Sequence, residues 1–243
     1  MDERGLDAHF GARAAMQQAL VQSGPAVHMA GVVALLGTFP ALSGFDLSVA
    51  RGEVCVLSGP NGAGKTTVLR VAAGLVPAIR GSVHVLGSDV RADRRSVRRH
   101  LGYLGHATGL YADLTVEQNV RFAVQAAGSK PGSHPQPIDR ALTRLGLDGR
   151  LRSLRVAYLS AGQRRRVALA SLIARNVPLW LLDEPHAALD PDGRNLIDEL
   201  VREAAASGTS VLVASHDLER AGRIADRVLT VQGGRVAVAD NVA

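Results

Sequence analysis

Glu53-Val54-Cys55-Val56-Leu57-Ser58 reads as a short buried strand, and it runs directly into Gly59-Pro60-Asn61-Gly62-Ala63-Gly64-Lys65-Thr66. Beyond that loop Val68, Val71, Ala72 and Leu75 recur at helical spacing, so the order is strand, glycine-rich loop, helix. This succession fits G-x-x-x-x-G-K-[ST] in the context its mechanism requires. Glycines let the backbone wrap closely enough for successive N–H groups to point at phosphate oxygens, and the helix N-terminus adds partial positive charge. Lys65 would reach the β- and γ-phosphates of a nucleotide, and the Thr66 hydroxyl would ligate Mg²⁺. Only Lys65 and Lys130 are lysines among the 28 basic residues, so a chain that otherwise uses Arg has a compact ammonium here. Gly59, Pro60, Asn61, Gly62, Ala63, Gly64, Lys65, Thr66 and Thr67 are the candidate phosphate-binding residues.

The flanking text places this loop in an α/β body. Val32–Leu36 and Leu47–Ala50 read as strands before it. Between about Asp89 and Arg175 strand signals fade and helical ones take over, at Thr115–Ala127 and Ile138–Leu145, separated by a surface connection over 128–135. Pro178–Leu182 and Ser210–Ala214 return as wholly apolar strand runs with the helical Arg194–Ala206 between them, which implies a parallel sheet covered on both faces. A short strand pair near Arg227–Val238 closes the pattern, and residues 1–25 read as a loose extension.

Chemistry-bearing residues cluster at the ends of these strands. Asp183 and Glu184 follow the apolar Leu179–Leu182 at once, and Pro185 stops the strand. Ligands of open parallel sheets bind beyond those strand ends, so Asp183 can hold Mg²⁺ and Glu184 can polarise an attacking water as general base. Ser215-His216-Asp217 ends the next apolar run in the same way, and His216 is placed to contact a γ-phosphate. Ser160 and Gln163 form an S-x-x-Q capping box before a helix over Arg164–Arg175. Such a box starts a helix, and it equally offers a second anion site that a head-to-tail pair of copies could lay over each other's nucleotide.

In combination these segments resemble the ATP-binding subunit of ABC transporters over nearly the whole chain after Val27. The resemblance implies a P-loop NTPase fold spanning 26–243, with a mainly parallel sheet, an N-terminal antiparallel β part and a helical subdomain inserted over about 103–175. It implies an ATPase using ATP and Mg²⁺, with Glu184 as base and His216 as switch histidine. Ser160, Gly162 and Gln163 would act in trans on a partner's ATP, and Asp190 would lie in the loop coupling the two sites. The chain departs from the family's pattern at Ala161, the third signature position, where Ala tolerates positive φ poorly. His106 stands in place of a Gln that contacts the metal's water, and Leu36 aligns with the adenine-stacking aromatic, with Phe39 three residues later. Tyr103-Leu104-Gly105-His106 and Leu114–Val120 look closest to the haem exporter ATPase of cytochrome c maturation.

Composition narrows the partners. One cysteine, Cys55, excludes a disulfide framework, and no stretch reaches the roughly 18 to 20 apolar residues of a spanning helix. The start carries no basic segment leading into an apolar run and a cleavage site. The resemblance then implies the cytoplasmic face of the cell membrane as the setting, held peripherally by permease subunits, as a homodimer or paired with another cassette. The net charge of +6 invites a nucleic-acid reading, and a regulatory or nucleic-acid-associated ABC ATPase is the alternative function. With 3% aromatics there is no stacking platform for single strands, so no specific nucleic acid is expected. Arg91, Arg94, Arg95, Arg98 and Arg99, and then Arg164, Arg165 and Arg166, read as solvated helix faces, with the anionic inner leaflet as the second choice.

Overall fold

The computed structural model describes residues 24–128 and 135–241, so nearly all of the expected N-terminal extension and most of the 128–135 connection lie outside the described residues. A four-stranded antiparallel sheet comes from β1 (Val27–Leu36), β2 (Phe39–Val49), β4 (Arg80–Val85) and β5 (Ser88–Asp89), in the order β2-β1-β4-β5. A six-stranded sheet has the order β10-β9-β3-β8-β7-β6, from β3 (Val54–Ser58), β6 (Leu101–Leu104), β7 (Leu179–Asp183), β8 (Ser210–Ala214), β9 (Arg227–Gln232) and β10 (Arg235–Asn241). Its pairings are parallel except for the closing β9–β10 hairpin. The mainly parallel sheet and the N-terminal antiparallel part are as the sequence implied.

Why β3, β7 and β8 are apolar on both faces, with only Ser58, Asp183 and Ser210 at their ends excepted, is visible in the packing. Val54, Val56, Trp180, Leu182, Val211 and Val213 face one core. The alternate residues Cys55, Leu57, Leu179, Leu181, Leu212 and Ala214 face the other. A strand side chain points to opposite faces with period two, so a sheet covered on both sides needs apolar residues throughout. The second core is closed by α1 (Lys65–Ala72), which also touches the antiparallel sheet.

The first core is closed by α3 (Val116–Ala126), α4 (Pro135–Arg144), α5 (Ala161–Arg175), α6 (Pro191–Ala206) and α7 (Leu218–Ile224), while α2 (Arg94–Arg99) precedes β6. Capping boxes start α3 (Thr115 with Gln118) and α5 (Ser160 with Gln163), and Asp190 caps α6 ahead of Pro191. Helix α5 packs on α3 and α4 and also on β6, so the helical segment shares its core with the sheet.

The fading of strand signals after Asp89 is corrected by β6, a strand inside the stretch read as helical. It is four residues long and contains Gly102, so it carries little apolar pattern of its own. A Cβ on Gly102 would lie 1.8 Å from Leu172 Cδ1, so contact with α5 requires the glycine. The antiparallel strands also run longer than the sequence pattern indicated, because register shifts in β1 break their alternation.

Candidate nucleotide site

The glycine-rich loop connects β3 to α1 and closes over itself. Gly59 has φ +136° and Gly64 φ +110°, values that L side chains rarely adopt. A Cβ would also meet backbone oxygens, 2.2 Å from Val231 at Gly59 and 2.7 Å from Ala41 at Gly64. Gly64 is the N-cap of α1, so no side chain caps that helix and no acidic residue occupies its first turn. Its leading N–H groups are left for an anion. Lys65 is buried, with Nζ donating to the carbonyls of Gly59 at 2.6 Å and Pro60 at 3.1 Å, so the ammonium sits in the concavity of the loop.

A cavity of about 290 Å³ opens over this loop, lined among others by Leu36, Asn61, Lys65, Thr66, Arg70 and Glu184. Leu36 and Ala41 stand in it and the 78% exposed Phe39 does not, so β1 and β2 flank the phosphate loop with aliphatic side chains. Arg70, which the sequence reading passed over, lies there too because it is one turn and a half along α1 from the loop.

Strand β7 delivers Asp183, 2% exposed, so that its Oδ1 accepts a hydrogen bond from Thr66 Oγ1 at 2.9 Å. Glu184 then turns with φ +47°, an unusual value for a residue with a Cβ, while its N–H donates to the Ala214 carbonyl at 2.9 Å. The turn aims its carboxylate at His216, whose Nδ1 lies 2.9 Å from Glu184 Oε1. This is the histidine read from the sequence as a γ-phosphate contact.

The solvated-face reading is corrected at Arg165. It is 4% exposed and donates to four backbone carbonyls: Gly105 at 2.7 Å, Asp183 at 2.7 Å, Glu184 at 2.5 Å and Pro185 at 3.3 Å. Burial pushes its guanidinium pKa down, opposed by the nearby Asp183 and Glu184 carboxylates. The signal was in the periodicity, since Arg165, Leu169 and Leu172 fall on one helix stripe and only the last two look like core. Arg91, Arg94, Arg95, Arg98 and Arg99 are exposed as read, and Arg98 caps the end of α1 through the carbonyls of Ala73 and Gly74.

At the signature segment Ser160 Oγ accepts from the Gln163 N–H at 3.2 Å, and Gln163 Oε1 accepts from the Ser160 N–H at 2.9 Å. Ala161 opens α5 and is not among the described residues with positive φ, so its Cβ meets no left-handed backbone. Gly162 packs on the next loop, where a Cβ would lie 3.1 Å from the Ala188 carbonyl oxygen. Asp190 Oδ1 accepts from Gly193 N–H at 2.9 Å and lies 3.5 Å from Arg166 Nη2. His106 is exposed just beyond β6 and does not line the phosphate cavity.

A glycine loop cradling Lys65, a strand-end Asp183-Glu184 pair and a histidine within hydrogen-bond distance of the glutamate are thus assembled at the carboxyl ends of the interior strands β3, β7 and β8. The family model described as ABC transporter matches residues 42–187, which is more than half of the chain. The chain belongs to the ABC transporter family. It is 40% identical to the cytochrome c biogenesis ATP-binding export protein CcmA of Xanthomonas axonopodis pv. citri (strain 306), over 79% of this chain and 87% of that protein. It is 41% identical to the hemin import ATP-binding protein HmuV of Streptomyces coelicolor (strain ATCC BAA-471 / A3(2) / M145), over 83% of this chain and 73% of that protein. Among solved structures, a dimeric ATP-binding cassette in a post-hydrolysis state with ADP and Pi superimposes with a TM-score of 0.82 at 26% identity, covering 89% of this chain and 99% of that one. The cassette is accordingly an ABC ATPase subunit of a transporter. Among the described residues no helix is long and apolar enough to cross a membrane.

Proposed function

We propose that this cassette dimerises on ATP and hydrolyses it to drive separate membrane subunits that move haem or a haem-like cargo, in the direction of export. What supports the chemistry is the placement of Glu184. It lines the cavity over the phosphate loop, beside Asp183 and within 2.9 Å of His216, where a carboxylate can take the proton of an attacking water. The loop amides and Lys65 bind the phosphates, and His216 keeps the glutamate oriented. The Thr66 hydroxyl and Asp183 carboxylate are hard oxygen donors 2.9 Å apart, which suits Mg²⁺, an ion that takes few protein oxygens and shares the phosphates. When bound, that ion neutralises phosphate charge. His106, next to the Gly105 carbonyl that Arg165 grips, is the remaining candidate for a water-mediated contact. Ser160, Gly162 and Gln163 at the start of α5 face the ATP of a second cassette, and Asp190 stands between the two sites.

Both named relatives carry haem or cytochrome c in their descriptions, one as exporter and one as importer, so the cargo class is better supported than the direction. The peripheral position on the cytoplasmic side follows from the need for membrane subunits. The test is purification in detergent with identification of partners, followed by ATPase assays of wild type and Glu184→Gln in the complex. An integral membrane partner, haem-stimulated turnover and a loss of about 100-fold or more in kcat with ATP still bound are expected. Recovery of only ribosomal or DNA-associated proteins would overturn the transport reading, and accumulation of haem in right-side-out vesicles would reverse the direction.

A further inference from the structure

Two residues past Glu184 the chain buries His186, at 9% exposure. Its Nε2 lies 2.7 Å from Oδ1 of Asp198, which is 2% exposed on α6. The other oxygen, Asp198 Oδ2, accepts from Arg220 Nη1 on α7 at 2.7 Å, and the same Nη1 lies 3.3 Å from Asn195 Oδ1. The Arg220 N–H donates to Asp217 Oδ1 at 3.1 Å, and its Nε lies 3.8 Å from Asp217 Oδ2. Asp217 N–H in turn donates to Ser215 Oγ at 3.1 Å, a bond that spans His216. The contacts therefore close a ring: Glu184, the backbone through Pro185, His186, Asp198, Arg220, Asp217, the adjoining peptide bond, His216, and back to Glu184 at 2.9 Å.

This ring joins the loops leaving two adjacent parallel strands, where Asp183 on β7 pairs with Ala214 on β8. Beyond that pair the backbone tie between the loops is the Glu184 N–H to Ala214 carbonyl bond, and the side chains must do the rest. His186 Nδ1 is buried without a hydrogen-bond partner, so the ring makes only its Asp198 bond, and an apolar side chain of similar size would leave no such unpaired atom. The imidazole is there for the carboxylate. A carboxylate shared between a ring N–H and a guanidinium has both oxygens directed, which fixes α6 relative to α7 more tightly than apolar packing would.

We propose that His186, Asp198 and Arg220 form a positioning bridge that holds the Glu184 loop and the His216 loop in register for hydrolysis. None of the three touches the phosphate cavity; they act through the Glu184–His216 contact. The inference rests on the preceding assignment of Glu184 as base.

The test measures kcat, KM for ATP, ATP binding and thermal stability in the complex for wild type, Glu184→Gln, His186→Ala, His186→Gln, Arg220→Ala and the His186→Ala/Arg220→Ala double variant. His186→Ala is expected to lower kcat at least tenfold while KM and ATP binding change less than twofold. His186→Gln, whose amide can still donate to Asp198, is expected to recover most of kcat, and the double variant to lose little more than the worse single variant. Glu184-dependent turnover with His186→Ala within twofold of wild type would overturn the bridge alone. So would a loss of kcat matched by loss of ATP binding and stability, or losses that multiply in the double variant. Turnover that is absent in wild type or survives Glu184→Gln would instead sink the catalytic assignment, and the bridge with it.

Discussion

Replacing Arg165 by Met removes the guanidinium and keeps a long apolar stem, so the lost hydrogen bonds are the main change. The four carbonyls it serves are not equally exposed to the loss. The Glu184 oxygen also accepts from Ala187 N–H at 3.1 Å, whereas those of Gly105 and Pro185 have no other hydrogen-bond donor among the described residues. Each buried orphan costs about 1–3 kcal/mol, so two cost about 2–6 kcal/mol. The bond to Asp183 adds about 1.5–3 kcal/mol because its donor is charged, and relief from burying the cation offsets part of the total. A net destabilisation of about 3–5 kcal/mol is expected, which for a chain of this size lowers Tm by about 10 °C at 2–4 °C per kcal/mol. Urea unfolding and thermal scans of wild type, Arg165→Met and Arg165→Lys measure it directly. Lys, a point charge without the planar fork, should fall between the other two. Release of the 183–185 backbone should also move Glu184, and a misplacement near 1 Å costs about 100-fold in turnover. An Arg165→Met variant within about 0.5 kcal/mol of wild type, with turnover intact, would refute the claim that this side chain holds the strand ends.

Gly59→Ala places a Cβ against the Val231 carbonyl at an unfavourable φ, so the loop must shift; isothermal titration should show ATP affinity lowered at least about tenfold, together with a lower Tm. Glu117 is held at a pKa of about 2, first by its hydrogen bond to Arg152 and then by that to Arg121. Its folded pKa lies below its unfolded one, so the stabilisation is present above the unfolded value near 4.5 and is lost as pH falls towards 2. Glu117→Gln should therefore be less stable than wild type at pH 7, by no more than about 1 kcal/mol for so exposed a pair, and indistinguishable at pH 2, as read by urea unfolding across that range. Burial, more than the neighbouring Glu53, pushes the Cys55 thiol up to about 12, so iodoacetamide should label it only on unfolding, which mass spectrometry at increasing urea would follow.

The phosphate loop was legible because its mechanism is local: glycines, a lysine and a hydroxyl within eight consecutive residues make the cradle by themselves. Asp183 and Glu184 were legible because an apolar run ends on them, and the cap of α5 because Ser160 and Gln163 lie three residues apart. Strand β6 was not, since its place depends on an edge beside β7 and on room for Leu172 at Gly102. Nor was Arg165, whose spelling within Arg164-Arg165-Arg166 is that of a surface cluster.

What the sequence by itself determined is therefore everything carried by short spacing: the nucleotide loop, the acidic strand end, the helix starts and the α/β alternation. Tertiary structure alone decided which polar side chains work at long range. Arg165 meets Gly105 across 60 residues, and His186 meets Arg220 through Asp198 on a third element. A charged residue in a sequence reads as solvated because burying it unpaired is costly, and only the fold supplies the carbonyls and carboxylates that remove that cost.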